Sequence, residues 1–307
     1  MRQRLSLSGE IPPAAIMERF EGVGLIRSEY LVRSQGRFIT RPEAQQHLAD
    51  YLRKVATACP SGPIWYRTTE LTSQEANTLD GVDRVYHEAD FMKGRRGVRR
   101  ALELPDAFET EVRVVAEVAR DHPNLHLLLP FVRDAADFSF ATALLERVDW
   151  PNRFGSMIEI PSALLETDKL ISLGATNLML GLNDLSSLLT GTSRQDQDMK
   201  LHPSVWWAVE TLRDAAGPTV EWGVAGNLSQ PVLERAEITG VPYVSMHYSE
   251  LPQLLGVPAD ELPDLDLVKR TKAYTRAQIV IAEERDRAAR QAALVVAENT
   301  RPPVTGR

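Results

Sequence analysis

Residues 155–189, GSMIEIPSALLETDKLISLGATNLMLGLNDLSSLL, decide how the rest of the chain is read. Segments 157–160 (MIEI) and 177–184 (NLMLGLND) are short apolar runs bounded by Gly, Pro or Asn, the pattern of buried strands, and each carries a carboxylate at or near its end. Between them, 163–173 has apolar residues at helical spacing behind a Ser162 cap. Strand, helix, strand is a βαβ unit, whose right-handed crossover lays the two strands parallel and close together. In parallel α/β folds functional groups collect at the carboxyl ends of strands, so Glu159 and Asp184 are expected on one rim. Two acidic oxygen ligands, with Asn183 beside one of them, suit a hard divalent cation that keeps several waters and takes its remaining ligands from a substrate. The same carboxylates could instead only cap neighbouring helices.

Working outward, 22–29 reads as a first strand ending at Arg27, 42–58 as its helix, and 63–67 as a second strand ending at Arg67. A polar, irregular stretch over 70–96 follows, of the kind that is usually functional or disordered, and Arg99 in GVRRAL is taken as a third arginine at a strand end. Helices are expected over 108–119, 137–148, 205–215 and 231–238, and further strands over 125–132, 220–226 and 243–247, the last ending at His247. Arg194 lies in a polar loop over 191–201. Eight strands interleaved with helices predict a closed (β/α)₈ TIM barrel rather than an open sheet. The expected organisation is a lead-in over 1–20, the barrel over 21–262, a long charged C-terminal helix over 263–300 and a disordered tail over 301–307. Apolar positions of that helix, among them Ala273, Ile279 and Val280, suit packing on the barrel or on a second subunit, and a homodimer is expected.

Composition narrows the function. The 307 residues are 43% hydrophobic and 25% charged, enough for one large soluble core. No apolar run approaches membrane-spanning length and the start lacks a signal-peptide core, so a cytoplasmic protein with no membrane partner is expected. A net charge of -7 argues against a nucleic-acid partner, and the single cysteine, Cys59, excludes an internal disulfide. On the predicted rim, Arg27, Arg67, Arg99 and Arg194 stand beside the two carboxylates. Arginine forks bind phosphate and carboxylate in bidentate fashion, which suits a small, multiply anionic substrate also held by a metal ion.

Several motifs together resemble one family. GVGLIRSEYL, YRTTELTSQEAN, LLLPFVR, MIEIPSALL, LGLNDLSSLLTGTSR and WGVAGN follow, in order, those of the C-terminal barrel of the phosphoenolpyruvate (PEP)-utilising enzymes: PEP synthase, pyruvate phosphate dikinase and the PEP-protein phosphotransferase. The resemblance spans roughly 21–256. It implies that Arg27, Arg67 and Arg194 hold the phosphate of PEP and that Arg99 holds its carboxylate or enolate oxygen. It further implies that Glu159 and Asp184 ligate Mg²⁺ or Mn²⁺, with Asn183 touching the phosphate.

The chain also departs from the family pattern. The seventh-strand motif implies a cysteine that moves a proton at the methyl carbon of pyruvate, and Ala225 stands there. Cys59 is expected on the opposite face of the barrel. Glu70 occupies a position where the family has aspartate, whereas Glu75 matches PEP synthase. None of the six histidines sits in a segment resembling the family's phosphocarrier motif. His247 could act as an acid or base, or be satisfied by a neighbouring carboxylate, and Asn227 could help to hold a ligand. Three functions are expected to compete. The first is a Mg²⁺-dependent lyase or transferase acting on PEP, pyruvate or another 2-oxo acid through an enolate, with aldol-type chemistry. The second is a PEP-dependent phosphotransferase with a separate phosphocarrier protein or other acceptor. The third is an inactive PEP- or pyruvate-binding regulatory subunit.

Overall fold

In the computed structural model, which describes residues 1–82, 88, 94–194 and 196–299 and the side chains of these up to 292, eight strands form a closed parallel barrel. They are β1 (Arg2–Leu7), β2 (Val23–Arg27), β3 (Ile64–Arg67), β4 (Leu125–Leu129), β5 (Phe154–Ile158), β6 (Asn177–Gly181), β7 (Glu221–Ala225) and β8 (Tyr243–His247). The βαβ unit is present as read: β5 and β6 pair in parallel with Met157 opposite Met179. The expected tail over 301–307 and part of the 70–96 stretch lie outside the described residues.

The first strand corrects the sequence reading. Residues 2–7 were taken as lead-in, yet β1 pairs with β8, Arg2 to Tyr243 through Ser6 to His247, and with β2, Leu5 to Val23, so it closes the barrel. The stretch RQRLSL alternates in the sense opposite to that expected of a barrel strand, because its polar residues are buried. Arg4 is 1% exposed, lies 4.1 Å from the Tyr243 ring centroid and bonds Glu21 at 2.7 Å and Glu221 at 2.5 Å. Ser6 Oγ meets Ser245 Oγ at 2.8 Å, while Leu5 and Leu7 join the apolar layer between barrel and helices. Correspondingly, Arg99 ends no strand: it sits in the helix Val98–Glu103, and the strand after β3 is β4.

Two apolar layers hold the fold. One fills the space between barrel and helices; the other fills the barrel itself, with Leu25, Trp65, Leu128, Met157, Met179, Ala225 and Tyr243. The inner layer stops short of the carboxyl-terminal mouth, where Leu25, Met157 and Ala225 form the floor of a cavity.

The C-terminal helix, Leu267–Asn299, runs over that mouth. Its buried positions are Thr271 and Thr275 rather than the predicted Ala273 and Val280, which are exposed. The reason is hydrogen bonding: Thr275 Oγ1 donates to the Thr271 carbonyl at 2.9 Å and accepts from Arg33 Nε at 3.0 Å. Among the described residues no helix is long and apolar enough to cross a membrane.

Candidate active site

A cavity of about 450 Å³ opens at the carboxyl ends of the strands. Barrel topology explains its lining. Arg27 and Arg67 end β2 and β3, Glu159 follows β5, and Asn183 and Asp184 lie in the first turn of the helix after β6. Asn227 follows β7, His247 ends β8, and Arg194 comes from the loop beyond the β6 helix. The structure thus brings eight of the nine predicted site residues to one cavity. Arg99 is not among its lining residues; Arg96, three positions earlier, is. Arg96 is 3% exposed, and its guanidinium lies 4.0 Å from the Phe131 ring centroid.

The charged groups form one network. Arg67 reaches Glu29 at 2.7 Å, Glu70 at 2.9 Å and Glu159 at 3.7 Å. Arg96 pairs with Glu70 and stands 3.6 Å from Asp184 Oδ1, and Arg194 donates to Asp184 Oδ2 at 3.0 Å. Glu159 Oε2 accepts from the backbone N–H of Phe131 at 3.0 Å. Phe131 has φ 54°, a conformation rare for a bulky residue, and that turn aims its amide at Glu159 while its ring supports Arg96. Gly181 is required beside it, because a Cβ there would lie 2.5 Å from Glu159 Cγ.

Neither carboxylate caps a helix: the helix after Glu159 and the helix that contains Asp184 have no side-chain cap hydrogen bond. Burial raises the Glu159 carboxyl above its ordinary range, and the nearby charges of Glu70 and Asp184 add to that. For Glu70 burial acts the same way, but Arg96 and Arg67 outweigh it and hold the carboxyl low. Asp184 Oδ1 is buried and accepts no hydrogen bond. An acid destabilised by its neighbours and a vacant buried lone pair are the marks of a pair that fits a cation. Among the described residues no three His, Cys, Asp or Glu side chains are placed to hold a metal ion together, so water and substrate would supply the rest of a Mg²⁺ shell.

His247 is buried, and burial followed by the charges of Arg27, Lys272, Lys200 and Arg67 depresses its basicity well below the ordinary imidazole range. Glu250 is 3.8 Å from its Nδ1, too far for the hydrogen bond a satisfied histidine would make. Asn183 Oδ1 accepts from Asn227 N–H at 3.1 Å, and the buried Lys200 donates to the Asn227 carbonyl at 2.7 Å, so two helices and β7 fix that corner. Among the described residues no thiol lines the cavity: Ala225 forms part of the floor, and Cys59 is buried at the amino-terminal end of β3, its carbonyl bonded by Asn124. Sequence reasoning missed Arg96, Glu29 and Phe131. Arg96 is one of several arginines in GRRGVRR, and loop residues have no periodicity to choose among them.

The profile of the family described as "PEP-utilising enzyme, PEP-binding domain" matches residues 10–254. The chain is 29% identical over 213 residues to the phosphoenolpyruvate synthase of Pyrococcus furiosus, covering 64% of this chain and 26% of that protein. It is 29% identical over 294 residues to the phosphoenolpyruvate-protein phosphotransferase of Streptomyces coelicolor, covering 92% and 50%. The chain therefore spans a quarter to a half of the length of these relatives. A solved HpcH/HpaI aldolase/citrate lyase family protein from Burkholderia cenocepacia superposes with a TM-score of 0.49 at 14% identity, covering 80% of this chain and 87% of that one.

Proposed function

From the premise that this chain belongs to the PEP-utilising enzymes through their PEP-binding domain, we propose that its cavity binds PEP or a related 2-oxo acid together with Mg²⁺ and reacts through the enolate. The observation that supports this most is the buried Glu159 and Asp184 pair, with Asp184 Oδ1 unbonded, set among Arg67, Arg96 and Arg194. Glu159 and Asp184 would hold the ion, which when bound would supply a Lewis acid to the substrate's oxygens.

The chain's own groups do the rest. Arg27, Arg67 and Arg194 take the phosphate, and Arg96 takes the carboxylate or enolate oxygen in place of Arg99. Asn183 and Asn227 orient the acid from the β6 and β7 side. At the methyl carbon, C3, the chain offers the Ala225 methyl where the resemblance implies a thiol. An enolate not protonated there is free to attack carbon. In a balanced aldol-type step, neutral His247 takes a proton from C3 of the 2-oxo acid and the C–H pair moves toward the C2 oxygen. C3 then bonds to a carbonyl carbon, whose oxygen receives the π pair and the proton. A bound anion would offset the charges of Arg27, Lys272, Lys200 and Arg67 that, after burial, depress the basicity of His247.

A second reading is favoured by the likeness to PEP synthases and a phosphotransferase: PEP gives its phosphoryl group to an acceptor on another domain or molecule. Calorimetry with PEP, pyruvate and oxalate, with and without Mg²⁺, tests the common part on the wild type and on Glu159→Ala/Asp184→Ala. Mg²⁺-dependent binding of oxalate, lost in the double variant, is the expected result. Failure of all three ligands to bind the wild type overturns both readings. Pyruvate formation from PEP with the phosphoryl group transferred to a candidate acceptor, and no reaction with carbonyl compounds, would replace the first reading by the second.

A further inference from the structure

The cavity is assembled from two sources. The family profile ends at residue 254, yet Lys272, Thr275, Arg276 and Ile279 of the C-terminal helix line the same space. That helix is anchored as a roof. Arg33, 7% exposed, donates to Thr275, pairs with Glu75 at 2.8 Å and lies over the Tyr30 ring. Glu75 is itself fixed by a reciprocal capping box with Thr72.

Charge divides the cavity along the same line. In the inner part Arg67, Arg96 and Arg194 are matched by Glu29, Glu70, Glu159 and Asp184. In the outer part Arg27, Lys272 and Arg276 make no ion pair among the described residues. Among the described residues Arg27 hydrogen-bonds only the Ser8 hydroxyl, and it stacks on Tyr30. Of the nearby acids, Glu75 is engaged with Arg33 and Thr72, while Glu250, half-buried, feels the charges of Arg27 and Lys272 without forming an ion pair with either. Lys272 and Arg276 are four residues apart on one helix face, where like charges repel and weaken the helix. Burial, then Arg27, Arg33, Arg194 and Arg276, make Lys272 less basic. Three cations that face one cavity wall without an ion pair repel one another, and an anion placed among them relieves that repulsion.

We propose that Lys272 and Arg276, beside Arg27, form a second anion subsite on the roof, which takes the carboxylate or phosphate of the second reactant. Resting on the enolate reading above, this makes the electrophile an anionic aldehyde or ketone: its carbonyl faces the floor and its acid group faces the C-terminal helix. The atoms balance as before, since the acid group only binds.

The test uses the full chain and Lys272→Gln/Arg276→Gln at constant ionic strength. Both residues are exposed and carry none of the roof's hydrogen bonds, so the variant retains its helix anchor. Inorganic phosphate and succinate are titrated by calorimetry into each protein, with and without saturating oxalate and Mg²⁺. Oxalate should bind both proteins within about twofold, while the better of the two anions binds the double variant about tenfold or more weakly, the loss of charge-assisted contacts. The tighter anion tells phosphate from carboxylate. The proposal is overturned if neither anion binds the wild type, if both bind the two proteins equally, or if oxalate binding falls in parallel. Should oxalate fail to bind the wild type, the enolate reading falls, and the oxalate-free titrations still decide the subsite.

Discussion

Replacing Arg67 by methionine removes the centre of the inner ion network, and the structure sets both the size of the effect and its rescue. Arg67 is 5% exposed, donates to Glu29 at 2.7 Å and pairs with Glu70 at 2.9 Å. Breaking a buried pair from one side costs about 3–5 kcal/mol, because the remaining charge stays buried and unmatched. For a chain of this size that is a fall of roughly 5–8 °C in Tm. The carboxylate left unmatched is Glu29. Its Oε2 already has no hydrogen-bond partner, whereas Glu70 keeps Arg96. Adding Glu29→Gln should therefore recover roughly half of the loss, about 2 kcal/mol, and Glu70→Gln should recover less. Urea unfolding followed by circular dichroism measures the three variants. PEP affinity, read by calorimetry, should fall about 100-fold in Arg67→Met and stay low in the rescued Arg67→Met/Glu29→Gln, which separates binding from folding. A cost below about 1 kcal/mol, or better rescue by Glu70→Gln than by Glu29→Gln, refutes the reasoning.

Arg96→Gln should weaken oxalate binding about tenfold or more, while Arg99→Gln stays within about twofold; calorimetry showing the reverse would reinstate Arg99 as the ligand-binding residue. Ala225→Cys should raise the exchange of pyruvate methyl protons in D₂O, followed by proton NMR, by about 100-fold, the scale of a positioned acid or base; an unchanged rate means that C3 does not lie against residue 225. Glu111, buried and bonded by Tyr66 and Thr69, has its carboxyl pushed up to about 7 by burial. A raised folded-state pKa means that its stability contribution is full below the ordinary 4.5 and is lost as pH rises through 7, by roughly 3 kcal/mol in all. Urea midpoints at pH 5 and pH 8 should show that loss in the wild type and a flatter profile in Glu111→Gln.

How far the sequence could be read depended on which side of the barrel wall a residue faces. β4 and β6 are buried throughout and mostly apolar, LHLLL and NLMLG, and sit between helices and barrel interior, so runs of leucine sufficed to find them. β1 was hidden because its inward residues are Arg4 and Ser6, where apolar side chains are the rule. Their burial depends on Glu21, Glu221, the Tyr243 ring and Ser245, partners up to 239 residues away that no local pattern reveals. Site residues at strand ends were legible because strand period and direction together fix where the last side chain stands. Arg96 was not, since it leaves a loop and is held by Glu70 and by Phe131 in a left-handed conformation.

The C-terminal helix carries the same lesson into function. An apolar stripe was expected to bury it, but threonines do so, through hydrogen bonds to Arg33 and to the helix backbone. A helix seated by hydrogen bonds rather than by an apolar stripe can present Lys272 and Arg276 to the cavity without burying their charge. The inner network of Arg67, Arg96, Glu159 and Asp184 lies inside the segment that the family profile matches, and the roof lies beyond it, in a stretch that still aligns with the Streptomyces coelicolor phosphotransferase. On the enolate reading, substitutions in the inner network change affinity for the 2-oxo acid. Substitutions at Ala225 or on the roof change what happens to its C3 carbon. The fate of that carbon is therefore to be sought at one floor residue and one helix, with the inner network held constant.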